Sequence, residues 1–446
     1  MKWAKRIGLG IALLLTALLA LPFVISVDDY RPRIEKELSV RLKEPVTITR
    51  LRAFALPSPH VTADGIAIGK TGDVKVAKLV ITPELSSLLG ETKVIRSVEL
   101  SGVHITQNGI DKLAVLGKGD PQVSARAAVR VARITIDDAT LQFGKNTFGP
   151  FEAALILNPR GAPEHATLAT RDNKFKATIK PDAQRYVIEI VAKAWQLPLG
   201  APVVFDELKI SGSATLTELN IGNVQARLYG GTVVGNATMS WAKNAQLRGT
   251  FDMNQLDIAQ LTALFSPNAR ISGRLNGKPA ISATATALAE LGAALRVETP
   301  FQVHNGVLRG VDIKKAATNL LMKDSSGETR FDQLSGHLVT ERNTHRFSNL
   351  KVVAGALSAD GNVTIAANKA LSGRVNAQVS AGSVATATVP LNVTGTLESP
   401  ILLPTGAALA GAAVGTAILG PAVGTSVGAK VGNWAEGLFG GKNKAQ

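Results

Sequence analysis

The sequence comes closest to catalytic or phosphate-binding chemistry in its glycine-rich stretches. LYGGTVVGNATM, Leu228 to Met239, places glycines among β-branched residues. A phosphate-binding loop needs a helix start after its glycines, and usually a Lys followed by Ser or Thr. An alternating strand pattern follows instead, so Gly230–Gly231 predicts a tight reversal between two strands. GTSVG, Gly424 to Gly428, matches a serine-hydrolase nucleophile elbow, but no histidine follows it to complete a triad.

The ionisable residues also lack the spacing of a reactive centre. The six histidines lie far apart, without metal-ligand spacing: His60, His104, His165, His304, His337 and His345. Asp137 and Asp138 adjoin on a predicted strand, so they are expected to face opposite ways and to end that strand at a turn. There is no cysteine, which excludes disulfides and thiolate chemistry. We therefore expect no catalytic residue, no metal and no cofactor, and a protein that is not an enzyme.

The charge does not indicate nucleic-acid binding. The formal net charge is +15, but the positive residues are scattered singly between apolar ones, and aromatic residues make up only 4% of the chain. Nucleic-acid binding would require a basic helix, a stacking platform or a zinc-finger spacing. A diffuse basic surface instead favours proximity to anionic membranes.

The amino terminus predicts a membrane anchor. Lys2, Lys5 and Arg6 precede an uncharged run from Ile7 to Val27 that is long enough to cross a bilayer as a helix. The positive flank places the amino terminus in the cytoplasm and the bulk of the chain in the periplasm of a two-membrane bacterium. The predicted anchor residues are Leu13, Leu14, Leu15, Leu18 and Leu19. A cleaved signal peptide is the alternative, which the absence of a small-residue cleavage site disfavours.

After the anchor, the pattern is mostly that of short strands. A helix is expected around Ile34, Leu38 and Leu42, ending at Pro45. Further helical patterns cover Ala285 to Leu295 and Val311 to Met322, with a brief turn at SSLLGETK. A slip in alternation at Ala132–Arg133 predicts a β-bulge.

An internal repeat defines the architecture. GNATMSWAKNAQLRGTFDM, Gly235 to Met253, matches GNVTIAANKALSGRVNA, Gly361 to Ala377. Each copy predicts a hairpin with one apolar and one polar face. The visible amphipathic helices are too few to cover such a face, so we interpret it as a lipid-binding groove. The candidate groove residues are Met239, Trp241, Phe251, Met253, Ile365 and Val375.

The carboxy-terminal tail has a different composition. It is uncharged from Ser399 to Ala429, and Gly420, Gly424, Gly428 and Gly432 recur every four residues. This spacing is typical of closely packed membrane helices, and a flexible small-residue tail is the equal alternative.

Several segments in order resemble the AsmA family of bacterial inner-membrane-anchored envelope proteins. They include YRPRIEKELSVRL, LLGETKVIRSVELSGVHI, ARLYGGTVVGNATM, PFQVHNGVLRGVDI, GETRFDQLSGHL and PLNVTGTLESPILLPT. The resemblance implies a periplasmic β-sheet curled into an elongated half-pipe with an apolar interior, and a role in phospholipid movement and outer-membrane homeostasis. One departure is Lys43-Glu44-Pro45, where the family usually has a Gly-Arg pair.

The expected fold is therefore mainly β with minor α, built on a largely antiparallel sheet. The predicted regions are an anchor (1–28), two β-rich regions (29–205 and 206–404) and a tail (405–446). The expected partners are the inner membrane and phospholipid acyl chains. The alternative function is an assembly or structural factor that binds outer-membrane proteins through strand edges. An outer-membrane barrel and a periplasmic hydrolase fit less well.

Overall fold

The computed structural model describes most of the chain between residues 27 and 410. The described ranges are 27–56, 58–89, 92–106, 108–109, 129–143, 146–197, 202–215, 217–264, 270–318, 325–381 and 384–410. The chain divides into two compact units, Met1–Ala192 and Lys193–Gln446. The predicted anchor, with its five leucines, and the glycine stripe with GTSVG lie outside the described residues. None of the helices within the described ranges is both long and apolar enough to cross a membrane.

The first unit opens with a 3-10 turn and a helix. The turn spans Val27–Tyr30, and α1 spans Arg31–Leu42 and ends at Lys43 in the left-handed conformation. Pro32 fits the first helical turn, where an N–H has no partner to lose. The predicted helix is thus confirmed. Its apolar side, with Ile34, Leu38 and Leu42, packs against the first strands.

Ten strands follow among the described residues of the first unit, and the last of them runs past its boundary at Ala192. They are β1 (Val46–Phe54), β2 (His60–Ile68), β3 (Val74–Pro83), β4 (Lys93–Thr106), β5 (Val129–Val131), β6 (Arg133–Phe143), β7 (Asn146–Leu157), β8 (Pro163–Thr170), β9 (Phe175–Asp182) and β10 (Arg185–Gln196). Neighbouring strands pair antiparallel, except that β4 pairs parallel with β5 and β6. A 3-10 helix, Leu85–Leu89, matches the predicted turn before β4. Ala132 separates β5 from β6, but the predicted β-bulge there is wrong, because both strands keep the same register with β4: Ile95 pairs with Val131 and Val98 with Ile134.

In the part that the structure describes, the second unit is an antiparallel meander of thirteen strands. They are β11 (Val204–Ala214), β12 (Glu218–Leu228), β13 (Gly231–Ser240), β14 (Ala245–Asp257), β15 (Ile271–Gly277), β16 (Ala280–Ala285), β17 (Arg296–Arg309), β18 (Glu328–Glu341), β19 (Thr344–Ala354), β20 (Leu357–Ile365), β21 (Leu371–Ala381), β22 (Val384–Thr396) and β23 (Ser399–Pro404). Successive strands pair, and the short β15 and β16 both lie between β14 and β17. The mainly β, largely antiparallel fold is confirmed.

Within the described ranges, two short helices interrupt this meander. Helix α2, Ile258–Ala263, begins at Asp257, whose carboxylate accepts the N–H of Ala259 at 2.9 Å. Helix α3, Ile313–Thr318, lies within the predicted helical pattern that starts at Val311. The predicted helix over Ala285 to Leu295 is wrong, since that segment forms only a 3-10 turn, Leu288–Glu290, and further turns.

The repeated hairpins are confirmed as β13–β14 and β20–β21. The reversal before β13 lies one residue earlier than predicted. Tyr229 and Gly230, both with positive φ, form the two-residue turn, as expected for a hairpin whose turn twist matches its strands. Gly231 starts β13, where a Cβ would lie 2.4 Å from the carbonyl oxygen of Asn254. Its role is therefore close packing of backbones.

The prediction that Asp137 and Asp138 face opposite ways and end their strand at a turn is wrong. Both lie inside β6, and both carboxylates approach the same nitrogen of Arg171, at 3.3 and 3.5 Å. Asp138 has a φ of 60°, and the register with β7 shifts between Ile136 and Ala139. This bulge breaks the alternation on which the prediction relied.

Candidate functional site

One face of the second unit's sheet, which we call the apolar face, is non-polar along the length of its strands. On β20, Leu357, Ala359, Val363 and Ile365 share this face because they alternate along one strand. Their direct partners across the sheet share it too, since paired residues project to the same side. Those partners on β21 are Val379, Ala377, Gly373 and Leu371. The face therefore continues from strand to strand.

One end of the apolar face, the helix-covered end, is closed by helical segments. Ile313, Ala316 and Ala317 of α3 pack against it, together with Ala408 of the helical residues 406–410. The sheet residues beneath them are almost fully buried: Leu357, Ala359, Ala377, Val389, Leu391 and Leu402. Leu391 and Ala377 are both 0% exposed. This end is an ordinary protein core.

The opposite end of the same face, the turn end, is formed by tight hairpin connections. The β13–β14, β18–β19 and β20–β21 turns lie there, at residues 241–244, 342–343 and 366–370. Val363, Ile365 and Leu371 are only half-buried at this end. The α3 cluster does not include them among its described residues. On β20 and β21 the burial of the face thus falls from the helix-covered end to the turn end, whereas on β14 and β16 Ala245 and Ala283 are buried at the turn end beside Leu291.

Aromatic side chains extend the apolar face across the middle strands. Phe301 on β17 and Phe347 on β19 make an edge-to-face contact with ring centroids 6.1 Å apart. Gly336 on β18 lies between them, and a Cβ there would meet Leu350 and Phe301 at 2.9 and 3.3 Å. The glycine leaves room for these larger neighbours. Both rings remain half-buried.

The structure places the six predicted groove residues on the apolar face or beside it, but not in one pocket. Met239, Phe251 and Met253 lie on β13 and β14, whereas Ile365 and Val375 lie on β20 and β21. Trp241 lies just beyond the end of β13, in the turn. All six are half-buried. Five strand spacings separate β14 from β20, or roughly 24 Å at ~4.8 Å each.

Two of these predicted residues contact covering structure. Met239 packs against a small cluster of Ala245, Ala283 and Leu291, the last of which comes from the turn segment after β16. Val375 packs against the margin of the α3 cluster. Ile365 is the clearest residue of the open turn end, since neither cluster includes it.

His345 is an ionisable residue on this open part of the apolar face. It pairs directly with Ile365 on β20 and lies two residues from Phe347 on β19, so all three share the face. Thr340 Oγ1 lies 3.0 Å from His345 Nδ1. Burial among these neighbours lowers the pKa of His345 from its ordinary value, because the charged imidazolium is poorly solvated there. The ring is therefore neutral at neutral pH.

The first unit has an apolar face that is also covered in part. Under α1, Val46, Ile48 and Val103 are 4–5% exposed. Farther along the sheet, Leu168 on β8 and Ile179 on β9 are 38% and 36% exposed. Ile179 pairs with Ala166 and Ile188, so its neighbours on that face are apolar as well. Helix α1 therefore covers one part of this face, and β8–β9 present apolar side chains to solvent.

The opposite face of the second unit is polar. A depression of about 540 Å³ opens there, and the polar side chains that line it are those of Asn276, Lys278, Gln302, Ser335, His337 and Asn349. Asn276 Oδ1 accepts the N–H of Gln255 at 2.8 Å, and Asn362 Oδ1 accepts the N–H of Asn349 at 3.0 Å. Gln255 and Asn349 both have positive φ. These side-chain amides therefore provide hydrogen-bond acceptors for backbone N–H groups where the strands are bulged.

The edge of β1 is closed by side chains. The N–H groups of Val46, Ile48 and Leu51 donate to Ser39 Oγ at 2.9 Å, Glu35 Oε1 at 2.6 Å and Asp28 Oδ1 at 2.8 Å. These acceptors belong to α1 and the turn before it. Edge N–H groups that already have partners cannot add a further strand.

The edge of β23 is closed in another way. The Leu402 N–H, which points away from β22, donates to Ser325 Oγ at 3.0 Å. Pro400 and Pro404 occupy the positions of the same parity and have no N–H to offer. Both of these outer strands therefore resist strand addition.

Sequence reasoning missed His345, Phe301, Phe347 and Ser325. Alternation in PFQVHNGVL places Phe301 and Val303 on one face, and this pattern would have identified Phe301 as a residue of the apolar face. His345 follows a turn, and the register of β19 shifts soon after it, between Phe347 and Leu350, so the regular alternation around it is too short to show which face it shares. Ser325 caps an edge strand 77 residues away, so no local pattern indicates it.

The described residues contain no group of three or more His, Cys, Asp or Glu side chains able to hold a metal. Comparison with protein families, with characterised proteins and with solved structures finds no match to this chain. The functional interpretation therefore depends on the apolar face and on the sequence segments quoted above.

Proposed function

We propose that this chain is an inner-membrane-anchored periplasmic protein of the AsmA type that binds or conducts phospholipids. In this proposal the sheet curls into a half-pipe, and acyl chains lie along its apolar interior. The supporting observation is the turn end of the second unit, where Val363, Ile365 and Leu371 continue a buried apolar face without entering the α3 cluster.

The energetics of such binding need no polar active site. Each methylene removed from water contributes about 0.8 kcal/mol, so ten buried methylenes contribute about 8 kcal/mol before ordering costs. Half-buried aromatic rings such as Phe301 and Phe347 add area to the same surface. A largely dehydrated trough lined by side chains of this kind suits a lipid tail better than a polar metabolite.

The test is mass spectrometry of the full chain, extracted in mild detergent, for co-purified phospholipid. Ile365→Asp and Met239→Asp place a carboxylate on the apolar face, and we expect each to reduce bound lipid at least fivefold. Thr364→Asp and Thr238→Asp are matched controls, because these residues lie next to the same positions but project from the opposite face. Lipid retention that is equal in all four variants would exclude the apolar face as the binding surface.

The alternative function, assembly of outer-membrane proteins through strand edges, gains less support. The side chains that close β1 and the prolines of β23 leave few edge groups for a partner strand. Crosslinking that captures outer-membrane proteins, with no lipid in the mass spectrum, would favour this alternative.

A further inference from the structure

The turn end of the apolar face differs from the rest of that face in one chemical respect. Across β17 to β22, from the turn end to the level of Leu334, Val352 and Ala359, the described side chains that share the face with Leu391 are apolar, glycine or threonine, with one exception. The exception is His345, between Thr340 on β18 and Ile365 on β20. A single imidazole in an apolar surface costs solvation, so its position calls for a polar partner.

The hydrogen bonds of His345 to described residues leave its Nε2 for such a partner. Thr340 Oγ1 lies 3.0 Å from Nδ1. When the threonine hydroxyl donates to Nδ1, the ring proton resides on Nε2, which then acts as a donor. The Thr340 contact thus orients the ring and fixes the tautomer that a negatively charged oxygen requires.

Two exposed cations lie at the same rim as His345, beside the ion pairs that Arg296 makes with Glu298 and Glu341. Lys243 and Arg342 are exposed in the β13–β14 and β18–β19 turns. Lys369, in the β20–β21 turn, is already paired with Glu398 at 3.0 Å. At the opposite end of the strands, the face is closed by Ile313, Ala316 and Ala317 of α3. The half-buried apolar rows between the rim and this closed end are therefore the part of the face that the tail of an anionic amphiphile would cover.

We propose that a phospholipid binds the second unit with its phosphodiester at the turn end, where His345 Nε2 donates to a phosphate oxygen, and with its tails toward α3. This inference rests on the proposed lipid binding and adds an orientation and a headgroup-contacting residue. The occupant is a phospholipid, because a free phosphate would leave the apolar rows beside His345 unfilled.

The first test compares two lipids with identical acyl chains, phosphatidylglycerol and diacylglycerol, which lacks the phosphate. Delipidated full-length protein in detergent is loaded with each lipid, and the bound fraction is measured by native mass spectrometry. We expect the wild type to prefer phosphatidylglycerol and His345→Leu to reduce that preference about tenfold, the usual effect of losing a hydrogen bond to a charged group. Diacylglycerol binding should stay equal or rise.

Two variants serve as controls. Thr340→Val removes the group that orients the ring and should lower the preference by a smaller factor than His345→Leu. His337→Gln alters a histidine in the depression on the polar face and should leave the preference unchanged. Inorganic phosphate at millimolar concentration should not compete, and competition would show a phosphate site independent of the lipid, against the inference.

The second test measures orientation directly. A photoreactive group on the headgroup should label residues 342–346 and 366–370, whereas one on the terminal methyl should label residues near α3. Equal labelling of both ends by both probes would overturn the orientation. If both lipids bind but His345→Leu keeps the wild-type preference, the headgroup contact is wrong and the lipid-binding function stands. If the wild type binds neither lipid, both proposals are wrong.

Discussion

The two ends of a single strand, β20, make the central comparison. Leu357 and Ala359 are 5% and 1% exposed beneath α3, whereas Val363 and Ile365, on the same face of the same strand, are only half-buried. The alternation that sets their direction is identical along the strand. The difference comes from what packs on the face. Stability should therefore concentrate at the helix-covered end and ligand binding at the turn end.

The first unit divides in the same way, but across strands rather than along them. Helix α1 covers the face of β1 and its neighbours, where Val103 is 4% exposed, while Leu168 on β8 is 38% exposed. In both units a few residues of helix bury one part of an apolar sheet. A sheet of this kind is stable with a partly open face as long as one part forms a true core.

The largest effect should come from equivalent truncations at the two ends. Leu391→Ala removes a fully buried side chain from the α3 cluster and should cost about 3 kcal/mol of unfolding free energy. Leu371→Ala makes the same change on the same face at the turn end and should cost about 1 kcal/mol, because that side chain is already partly solvated. Urea unfolding followed by circular dichroism measures both. Similar losses would contradict the division into a core end and an open end.

The next effect concerns the attachment of β23 to the helix-covered end. Ser325→Ala removes the acceptor of the Leu402 N–H, and both residues are buried. An unpaired buried N–H costs about 1–3 kcal/mol, so we expect a loss of about 2 kcal/mol. Ser326→Ala, at the neighbouring position, is the matched control and should cost less. Hydrogen exchange should show faster exchange at Leu402, and unchanged protection there would disprove the role of Ser325.

A smaller effect is expected where α1 closes β1. Glu35→Ala removes the acceptor of the Ile48 N–H, which lies 2.6 Å away, and should cost about 1 kcal/mol. Glu37→Ala changes the same residue type on the same helix and serves as the control. Because the change also frees an edge N–H, we expect more self-association in light scattering at high protein concentration. A fully monomeric variant with wild-type stability would show that this contact does not protect the edge.

The sequence predicted the hairpins but not their cover. Period-two alternation in the two repeats, around Met239 and Ile365, is a local property of the sequence, and it predicts both hairpins correctly. Whether α3 lies over a given row depends on contacts between Ile313 and residues such as Leu391, which are far away in the chain. Alternation also fails at bulges, so the relation of Asp138 to Arg171 was missed.

The smallest effect is the pH dependence contributed by His345. Burial lowers its pKa below the ordinary value of 6.5, so the unfolded chain binds this proton more readily than the folded chain. Above that ordinary value the ring is neutral in both states and contributes no pH dependence. As the pH falls below 6.5 toward the folded-state pKa, protonation favours unfolding, and stability decreases. The side chains that share the face around the ring, those of Thr340, Phe347 and Ile365, do not titrate, so the effect belongs to His345 alone.

Urea midpoints at pH 7.5 and pH 5 should therefore differ more for the wild type than for His345→Gln, and His337→Gln should behave as the wild type does. An equal pH dependence in wild type and His345→Gln would mean that this ring is as well solvated as an exposed one, and the surface around it at the turn end would then not be apolar.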